Sequence, residues 1–417
     1  MSRPASSHAD PSGGIVIVGA GLAAATAAEE LRSQGFTGDL HMVAAERHSP
    51  YIRPPLSKEV LTGKAARETA FVHDDDWYPA TGVDLIVGDA ATAVDRDARR
   101  VTLATGRTLG YRRLLFATGA VPRRLDVPGA DLDGIRSLRT LDDADILREE
   151  LAGGGRSVVC IGSGWIGLEV TAAARGYGNT VTVVAPGAVP LASALGEELG
   201  GVFHDLHVEN GVDFRMGTSV TAFEGDGSRV TGVRTDAGDT IAADLVIVGI
   251  GAAPAVEVAR SAGLDVDDGI VVDAALRTSD PAVYAAGDVA NAWHPTLGRR
   301  LRSEHWANAI GQGKAVAASM LGQQVSYDAV PYFYTDQYDL SMEYSGYFPL
   351  ASGAEVVYRG NPATREFVAF WHRDGRVVAG MNVNVWDVND DIAALVRSGR
   401  GVDVKRLADP SVPIGEL

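Results

Sequence analysis

The sequence has almost no cysteine and too few basic residues to balance its acids. Cys160 is the only cysteine among 417 residues, so the chain can form no internal disulfide, no thiolate metal cluster and no Cys-x-x-Cys redox relay. With 37 lysine and arginine residues against 54 aspartates and glutamates, the formal net charge is −17. This charge disfavours nonspecific binding to nucleic acid or anionic membranes. We therefore expect a cytoplasmic protein without a bound metal.

Long hydrophobic runs are missing as well. The longest ones, such as Leu245–Val248, have the length of a strand, so no segment is predicted to span a membrane. Residues 1–13 are polar and lack the apolar segment of a signal peptide, and we expect them to form a disordered tail. A chain of 417 residues that is 46% hydrophobic has enough core for two or three domains.

Glycines are abundant, and one group of them follows an apolar strand near the N-terminus. Gly19 permits a tight turn, Gly21 lets the backbone approach a pyrophosphate, and Ala24 keeps the following helix close to the strand. Glu46 ends the next strand, 25 residues after Gly21, where a carboxylate can accept hydrogen bonds from a ribose. Strand, turn, helix and acid together predict a dinucleotide site rather than a merely glycine-rich turn.

A second glycine turn follows another apolar strand. Ser157–Glu169 contains a full G-x-G-x-x-G between a strand and a helix, and Cys160 is predicted to be a buried residue of that strand. The next strand, Thr180–Val184, ends at Ala185, where an NAD site usually has an acid, and no arginine follows to hold a 2′-phosphate. The segment therefore predicts an NAD(P)H site and leaves the preference between NADH and NADPH open.

Two further strand ends carry small residues. The strand Asp244–Gly249 resembles the earlier crossing at Ala117–Gly119, which suggests that the chain returns there to its first domain. The later strand ends in Gly287 and Asp288. Asp288 caps a helix in the simplest interpretation. Two nucleotide folds in one chain suggest two different dinucleotides, and if one of them is a flavin, Asp288 would instead bind its ribityl hydroxyls.

Two consecutive prolines precede a lysine just past the first nucleotide site. Pro54 and Pro55 fix an extended entry, and Ser57 is predicted to cap a helix that carries Lys58. A rigid loop with an exposed lysine is the alternative interpretation.

The last ninety or so residues are predicted to form a separate unit. The alternating runs Glu366–His372 and Arg376–Asn384 flank Asp374-Gly375, which indicates a type I′ hairpin. Asn389 is predicted to cap a short helix that ends before Gly399.

The order of these motifs resembles that of the FAD-dependent NAD(P)H:ferredoxin reductases. These are relatives of putidaredoxin, rhodocoxin and biphenyl-dioxygenase reductases and share the glutathione-reductase-like two-dinucleotide fold. The runs Arg302–Trp306 and Val330–Asp339 are similar to that family too, and the likeness covers nearly the whole chain after Gly13. This sequence departs from the family pattern at Ala185, where members of the family commonly have an acid. It also departs at positions 332 and 334, where it has tyrosines and members of the family often have tryptophans.

The resemblance implies an α/β fold class: two Rossmann-like dinucleotide-binding domains, one for FAD and one for NAD, plus a C-terminal α+β domain. The expected division is a disordered tail at 1–13, the FAD-binding domain at 14–119 and 246–326, the NAD(P)H-binding domain at 120–245, and the C-terminal α/β domain at 327–417.

The resemblance also implies which residues form the sites. Lys58 would lie near the flavin N5 atom, paired with Glu169, and these two residues are the expected catalytic groups. The residues expected to bind FAD are Gly19, Gly21, Leu22, Ala23, Glu46, Arg53, Lys58, Ala91, Ala117, Thr118, Gly119, Arg123, Gly287, Asp288, Glu304, His305 and Trp306. Those expected to bind NAD(P)H are Gly162, Gly164, Trp165, Ile166, Gly167, Glu169, Ala185 and Gly251.

The implied activity is hydride transfer from NAD(P)H to FAD, followed by single-electron transfer to a small iron–sulfur ferredoxin that feeds an oxygenase. Disulfide reductases of this fold need a dithiol, so with one cysteine the acceptor must come from outside. The alternatives are an NADH oxidase or small-acceptor reductase, and a redox-sensing interaction protein like apoptosis-inducing factor. Arg299, Arg300 and Arg302 precede a helix predicted to start near Ser303, and they are the expected docking patch for an acidic ferredoxin.

Ala185→Glu tests what sets the coenzyme preference. Ala185 can neither bond a ribose 2′-OH nor repel a 2′-phosphate, so we expect NADH to lead only weakly. An acid there should widen the NADH preference by roughly 1–3 kcal/mol, the worth of a hydrogen bond to a charged group. The measurement is the ratio of kcat/KM for NADH and NADPH, and an unchanged ratio would show that other residues set selectivity.

Overall fold

The computed structural model describes residues 14–417, so the tail predicted at 1–13 lies outside the described residues. The chain forms two compact units. The first contains residues 14–52, Ala70–Val121 and Ala253–Ala329, and the second contains Arg53–Thr69, Pro122–Ala252 and Val330–Leu417. The boundaries expected from the sequence, which divide the chain by cofactor, stay predictions.

The first unit is built on a five-stranded parallel sheet. Ile15–Val18 lies at its centre, with Ile15 in register with both Leu40 and Arg113. All four residues of this strand are buried, as expected for a parallel sheet that is covered on both faces. In such sheets ligands bind at the carboxyl ends of the strands. The strand order is Val283–Ala285, Arg113–Phe116, Ile15–Val18, Leu40–Val43, Val83–Ile86.

Two helices of this unit pack closely because small residues line their contact. The helix Leu22–Ser33 is rich in alanine and lies against Trp306–Met320. A Cβ atom at Gly313 would lie 2.8 Å from Ala23 O. The other elements of the unit are the strands Ala91–Asp95, Arg100–Leu103, Thr108–Gly110, Ile270–Val272, Ala290–His294 and Arg299–Leu301, the helices Trp77–Ala80 and Glu257–Ser261, and the 3₁₀ turn Gly287–Val289.

The second unit begins with another parallel sheet of five strands. Ser157–Ile161 lies at its centre, and each neighbouring strand runs in the same direction. The order is Val212–Met216, Thr180–Ala185, Ser157–Ile161, Leu245–Val248, Ile135–Arg136. An antiparallel sheet of Val220–Gly225, Val230–Thr235 and Thr240–Ala242 accompanies it, with the helices Leu141–Ala152, Trp165–Gly176, Ala192–Leu195 and Glu197–Glu209 and the 3₁₀ turn Pro54–Ser57.

The C-terminal part of this unit is a five-stranded antiparallel sheet. Asp374 has φ 51° and Gly375 has φ 79°, which is the backbone that a type I′ turn requires, so the predicted hairpin is confirmed. The predicted cap at Asn389 is wrong by one residue: Val388 holds the cap position, and the Asn389 side chain binds Ser345 and Asn382.

The strand order of this sheet is Tyr332–Gln337, Leu340–Gly346, Arg376–Val383, Glu366–Arg373, Glu355–Asn361. The smaller elements around it are the helices Phe348–Ala351, Asn389–Ser398 and Val404–Ala408 and the 3₁₀ turns Pro362–Thr364 and Ile414–Glu416. Where the chain passes between the two units it forms the short strands Ala120–Pro122 and Ala252–Pro254 and the 3₁₀ turn Arg67–Ala70.

The predicted fold class is confirmed: two parallel sheets, each with a glycine turn, are followed by a C-terminal antiparallel sheet with short helices. Among residues 14–417, the helices are all too short or too polar to cross a membrane. The same residues contain no cluster of three or more histidine, cysteine or acidic side chains that could hold a metal ion.

Replacement by alanine should lower the stability of the protein at one helix glycine and raise it at another. Gly313→Ala would push a Cβ atom against the Ala23 carbonyl, and such overpacking costs about 1–3 kcal/mol. At Gly201, in the helix Glu197–Glu209, a Cβ atom would meet no described atom within 4 Å, so Gly201→Ala should gain up to about 1 kcal/mol of helix propensity. Denaturant unfolding followed by circular dichroism measures both changes, and shifts of the same sign would contradict the packing argument.

Candidate functional site

The first glycine turn brings two strand ends into backbone contact. Gly19 has φ 112°, and a Cβ atom there would lie 2.1 Å from Ala117 O, so only glycine fits. At Gly21, in contrast, a Cβ atom would meet nothing within 4 Å among residues 14–417. The helix Leu22–Ser33 starts there without a side-chain cap from the described chain, so its first N–H groups can bind a pyrophosphate. The residues present therefore fit a dinucleotide.

Other predicted FAD residues gather at the same edge of the sheet. Ala117 N donates to Val18 O at 2.8 Å, and the Thr118 hydroxyl donates to Ala255 O at 2.7 Å. Gly119 has φ 70°. These contacts fix the small-residue crossing beside the glycine turn.

Gly287 and Asp288 also lie at this edge. Gly287 has φ 78°, and a Cβ atom on it would lie 3.0 Å from Ala23 Cβ. Its N–H donates to Gln312 Oε1 at 2.9 Å. Asp288 is half-buried within the 3₁₀ turn Gly287–Val289, for which Ala286 is the cap residue, so Asp288 is not a helix cap.

Glu46 and Ala91 are the residues predicted to meet the adenosine half of FAD. The Tyr51 hydroxyl donates to Glu46 Oε2 at 2.5 Å, and a carboxylate at this position is a group that can accept hydrogen bonds from a ribose. Ala91 begins the strand Ala91–Asp95 opposite Leu103. Their contact with FAD stays a prediction.

The helix predicted to start near Ser303 begins at Trp306, three residues later, with His305 as its cap residue. Ser303 precedes the helix, and its carbonyl accepts a hydrogen bond from Asn308 Nδ2 at 3.0 Å. Burial lowers the pKa of His305 to about 4, against the opposing effect of the Asp288 carboxylate. Trp306 is 39% exposed, so it is not a core residue.

The three arginines of the expected docking patch have different surroundings. Arg302 is paired with Asp268 at 3.1 Å and with Glu304 at 2.5 Å. Arg300 donates to Val272 O at 2.6 Å. Arg299 is exposed on the strand Arg299–Leu301. The structure therefore leaves Arg299 as the exposed member of the three.

The second glycine turn repeats the geometry of the first. A Cβ atom at Gly162, which has φ 100°, would lie 2.4 Å from Gly249 O, and one at Gly167 would lie 2.6 Å from Gly162 O. A Cβ atom at Gly164 would meet none of the described atoms within 4 Å. The helix that begins at Trp165 has no side-chain cap within the part of the chain that the structure describes. These residues fit a second pyrophosphate.

The remaining NAD(P)H candidates lie around this turn. Trp165 packs between Phe203 and Phe333, with ring centroids 5.7 and 4.9 Å away, whereas Ile166 is 46% exposed. Gly251 has φ 97°, and its carbonyl accepts the Arg123 N–H at 2.9 Å.

Ala185 is the last residue of the strand Thr180–Ala185 and is buried. Its carbonyl accepts a hydrogen bond from Thr218 N at 3.1 Å, and the exposed residues that follow it, Pro186, Gly187 and Ala188, are uncharged. The strand end thus supplies no charged side chain that would choose between NADH and NADPH.

The predicted Lys58–Glu169 pair is confirmed. Lys58 Nζ lies 2.7 Å from Glu169 Oε1, and the two side chains are 8% and 3% exposed. Thr335 also donates to Glu169 Oε1, at 2.6 Å, and Ser57 donates to Oε2. Lys58 Nζ lies 5.2 Å from the centre of the Tyr334 ring. Burial of an ion pair is costly unless hydrogen bonds satisfy its remaining atoms; Ser57 and Thr335 supply them to the Glu169 carboxylate, and the Tyr334 ring lies beside the Lys58 ammonium group.

The predicted capping role of Ser57 is wrong. The two prolines start a 3₁₀ turn, Pro54–Ser57, which ends at Ser57 instead of beginning an α-helix there. The hydroxyl is thereby directed to Glu169. Arg53, the residue before the turn, donates to Arg139 O.

Sequence reasoning missed three residues behind the ion pair. Gln337 Nε2 donates to Thr335 Oγ1 at 3.1 Å, and Gln337 Oε1 lies 2.8 Å from His207 Nε2. Thr335 and Gln337 are buried on the same face of the strand Tyr332–Gln337 as Phe333. Polar residues at inward positions of an alternating strand were the available signal.

Cys160 is confirmed as a buried strand residue. Its side chain is 0% exposed, and burial raises the pKa of the thiol to about 11. A thiol that stays protonated is a poor nucleophile, which removes Cys160 as a redox group.

Two family models match the chain. Residues 13–313 match the pyridine nucleotide-disulphide oxidoreductases, and residues 332–417 match the C-terminal domain of reductases. The sequence is 43% identical to the ferredoxin–NAD(+) reductase component of the anthranilate 1,2-dioxygenase system of Burkholderia cepacia, over 97% of this chain and 98% of the relative. It is 37% identical to putidaredoxin reductase of Pseudomonas putida, over 97% and 96% of the two chains.

Solved structures agree over the full length. A ferredoxin reductase from Rhodopseudomonas palustris matches with a TM-score of 0.92 at 36% identity, over 96% of this chain and 98% of that one. The reductase in a covalent putidaredoxin reductase–putidaredoxin complex matches with a TM-score of 0.93 at 36% identity, over 97% of each chain. The chain therefore belongs to the pyridine nucleotide-disulphide oxidoreductase family and, within it, to the FAD-dependent NAD(P)H:ferredoxin reductases.

Proposed function

We propose that this chain takes a hydride from NADH onto FAD and supplies single electrons to a small iron–sulfur ferredoxin that feeds an oxygenase. The observation that carries the proposal is the full-length likeness to ferredoxin–NAD(+) reductase components of oxygenase systems, joined to two glycine turns that each fit a dinucleotide. NADH is the preferred donor in this proposal because Ala185 and the residues that directly follow it, Pro186, Gly187 and Ala188, carry no positive charge that would bind a 2′-phosphate.

When bound, FAD would supply the chemistry that links a two-electron hydride donor to a one-electron acceptor. The chain's part is binding and orientation. The N-termini of Leu22–Ser33 and Trp165–Gly176 present N–H groups and partial positive charge to the two pyrophosphates. Gly21 and Gly164, where a Cβ atom would meet no described atom, let the backbone approach them.

We assign the reactive end of the site to Lys58 and Glu169. A cation beside a flavin favours its electron-rich reduced form, and the Glu169 carboxylate, 2.7 Å away, fixes the position of the ammonium group. The hydrogen bonds that Ser57 and Thr335 donate to Glu169 hold that carboxylate in place.

The electron acceptor is external in this proposal because the chain has no dithiol. Cys160 is the only cysteine, and its buried thiol has a raised pKa, so electrons cannot pass to a disulfide of this protein. The proposed cytoplasmic location likewise relies on the near absence of cysteine.

The test is cytochrome c reduction by NADH with and without added putidaredoxin, the partner in the solved complex of a similar reductase. We expect at least a tenfold stimulation by the ferredoxin, whereas ferricyanide, a small acceptor, should be reduced without it. Oxygen uptake that matches NADH consumption without ferredoxin would instead identify an oxidase. Slow turnover with every acceptor would identify a redox-sensing protein.

The role of surface charge in ferredoxin docking can be tested at Arg299, because it is the exposed member of the three arginines. Arg299→Glu should raise the KM for ferredoxin several-fold, because surface charges near an interface steer association, and leave NADH–ferricyanide turnover unchanged. Arg300 is unsuitable because its guanidinium holds Val272 O.

Arg112→Glu is the matched control for this prediction. Arg112 is exposed and precedes the strand Arg113–Phe116, at the edge of the sheet opposite the carboxyl ends. An equal rise of the KM for ferredoxin in Arg299→Glu and Arg112→Glu would show a general effect of charge. A loss of ferricyanide activity in Arg299→Glu would show damage to the FAD site.

A further inference from the structure

A chain of polar side chains leads from the Lys58–Glu169 pair through the core of the second unit. From Glu169 it runs through Thr335 at 2.6 Å, Gln337 at 3.1 Å and His207 at 2.8 Å. The Tyr338 hydroxyl follows, 3.4 Å from His207 Nδ1. Thr335, Gln337 and His207 are 0–1% exposed, whereas Tyr338 is 36% exposed. The chain therefore extends from a buried ion pair to the protein surface.

The order of donors and acceptors in this chain is fixed from the Glu169 end. A carboxylate only accepts, and a threonine hydroxyl has one proton, so Thr335 donates that proton to Glu169 and can only accept from Gln337. The Gln337 amide nitrogen must then face Thr335. Its oxygen is left to accept from His207.

The histidine tautomer follows from the same argument. His207 carries its proton on Nε2, which donates to Gln337, and Nδ1 accepts from Tyr338. Burial lowers the pKa of His207 to about 4, so at neutral pH the ring is uncharged and holds this single tautomer. Each donor in the chain points toward Glu169.

Packing alone does not account for these residue types. Thr335 and Gln337 lie on the inward face of their strand, next to the aromatic cluster of Phe333, Tyr344 and Trp371. An apolar side chain would suit that surface, since buried polar groups cost free energy unless they are fully hydrogen-bonded. Their hydrogen bonds lead to Glu169, which the reaction is proposed to use.

We propose that Thr335, supported by Gln337, is a positioning residue for the Lys58–Glu169 pair. The inference rests on the proposed function of that pair in flavin reduction. The C-terminal sheet thereby holds Oε1 of Glu169, Ser57 holds Oε2, and Glu169 holds the Lys58 ammonium group. Loss of the Thr335 hydroxyl leaves the carboxylate free to turn, and Lys58 turns with it.

The central variants are Thr335→Val, which keeps the shape and removes the hydroxyl, and Thr335→Ser, which keeps the hydroxyl. Thr171→Val is the matched control: Thr171 is 1% exposed and two residues from Glu169 on the same helix, and its hydroxyl lies beside Cys160. The FAD-loaded proteins are mixed rapidly with NADH. The limiting rate of flavin reduction and the Kd for NADH are both recorded.

We expect Thr335→Val to lower the limiting rate about tenfold, with an unchanged Kd for NADH. A misplacement of about 1 Å can cost roughly 100-fold, and the hydrogen bond from Ser57 that remains on Glu169 should keep the loss smaller. Thr335→Ser should restore the rate to within about twofold, and Thr171→Val should match the parent. The limiting rate of Gln337→Leu should lie between that of the parent and that of Thr335→Val. A loss in Thr335→Val that serine does not restore, or one that Thr171→Val shares, would mean general damage to the fold and overturn the proposal.

A second readout observes Lys58 directly and needs no turnover. The sequence has four lysines, and Lys64, Lys314 and Lys405 are exposed. With ¹⁵N-labelled lysine, the slowly exchanging ammonium signal should come from Lys58. We expect that signal in the parent, Thr335→Ser and Thr171→Val proteins and its loss by faster exchange in Thr335→Val. An unchanged signal and rate in Thr335→Val would overturn the proposal.

Lys58→Met separates this inference from the proposed function. If Lys58→Met reduces flavin as fast as the parent, the proposed role of the ion pair fails, whatever Thr335 does to the ammonium signal. If Lys58→Met is slow and Thr335→Val is not, the ion pair keeps its role and the positioning inference fails.

Discussion

The second unit depends on the hydrogen bonds that satisfy the buried carboxylate of Glu169. This carboxylate receives hydrogen bonds from Lys58, Ser57 and Thr335, which belong to segments far apart in sequence. A carboxylate that is 3% exposed would be strongly destabilising without such partners. The need to satisfy one charge therefore joins the segment Arg53–Thr69 and the C-terminal sheet to the helix that follows the second glycine turn.

The two glycine turns are required for the packing of the backbone as well as for the binding of a ligand. At Gly19 and Gly162 the backbone passes so close to a neighbouring strand end that a Cβ atom would lie 2.1 and 2.4 Å from a carbonyl oxygen. This close approach sets the start of each helix at the carboxyl edge of its sheet. No side chain among residues 14–417 caps either helix, so the first N–H groups of each helix can bind an anion.

The use of polar side chains inside the second unit also bears on how the protein could work. The C-terminal sheet contributes Thr335, which donates to Glu169, and Gln337, which donates to Thr335, so this sheet helps to satisfy the buried carboxylate as well as to form the core. Single-electron transfer to an outside partner is consistent with a chain whose one thiol is buried and protonated. Of the three arginines before the helix Trp306–Met320, Arg300 and Arg302 are held by backbone and carboxylate groups, and Arg299 is exposed.

The sequence by itself determined the two strand–turn–helix segments with their glycine turns, the type I′ hairpin and the burial of Cys160. Each of these follows from local rules: an apolar strand, a positive φ that only glycine tolerates, or a fixed spacing to the next element. The Lys58–Glu169 pair was reached only by family resemblance, since 111 residues separate its members. Only the tertiary structure showed that Ser57 does not cap a helix and that Thr335, Gln337 and His207 form a hydrogen-bonded chain that ends at Glu169. Such contacts depend on how two sheets and a helix pack together, and no local pattern encodes that packing.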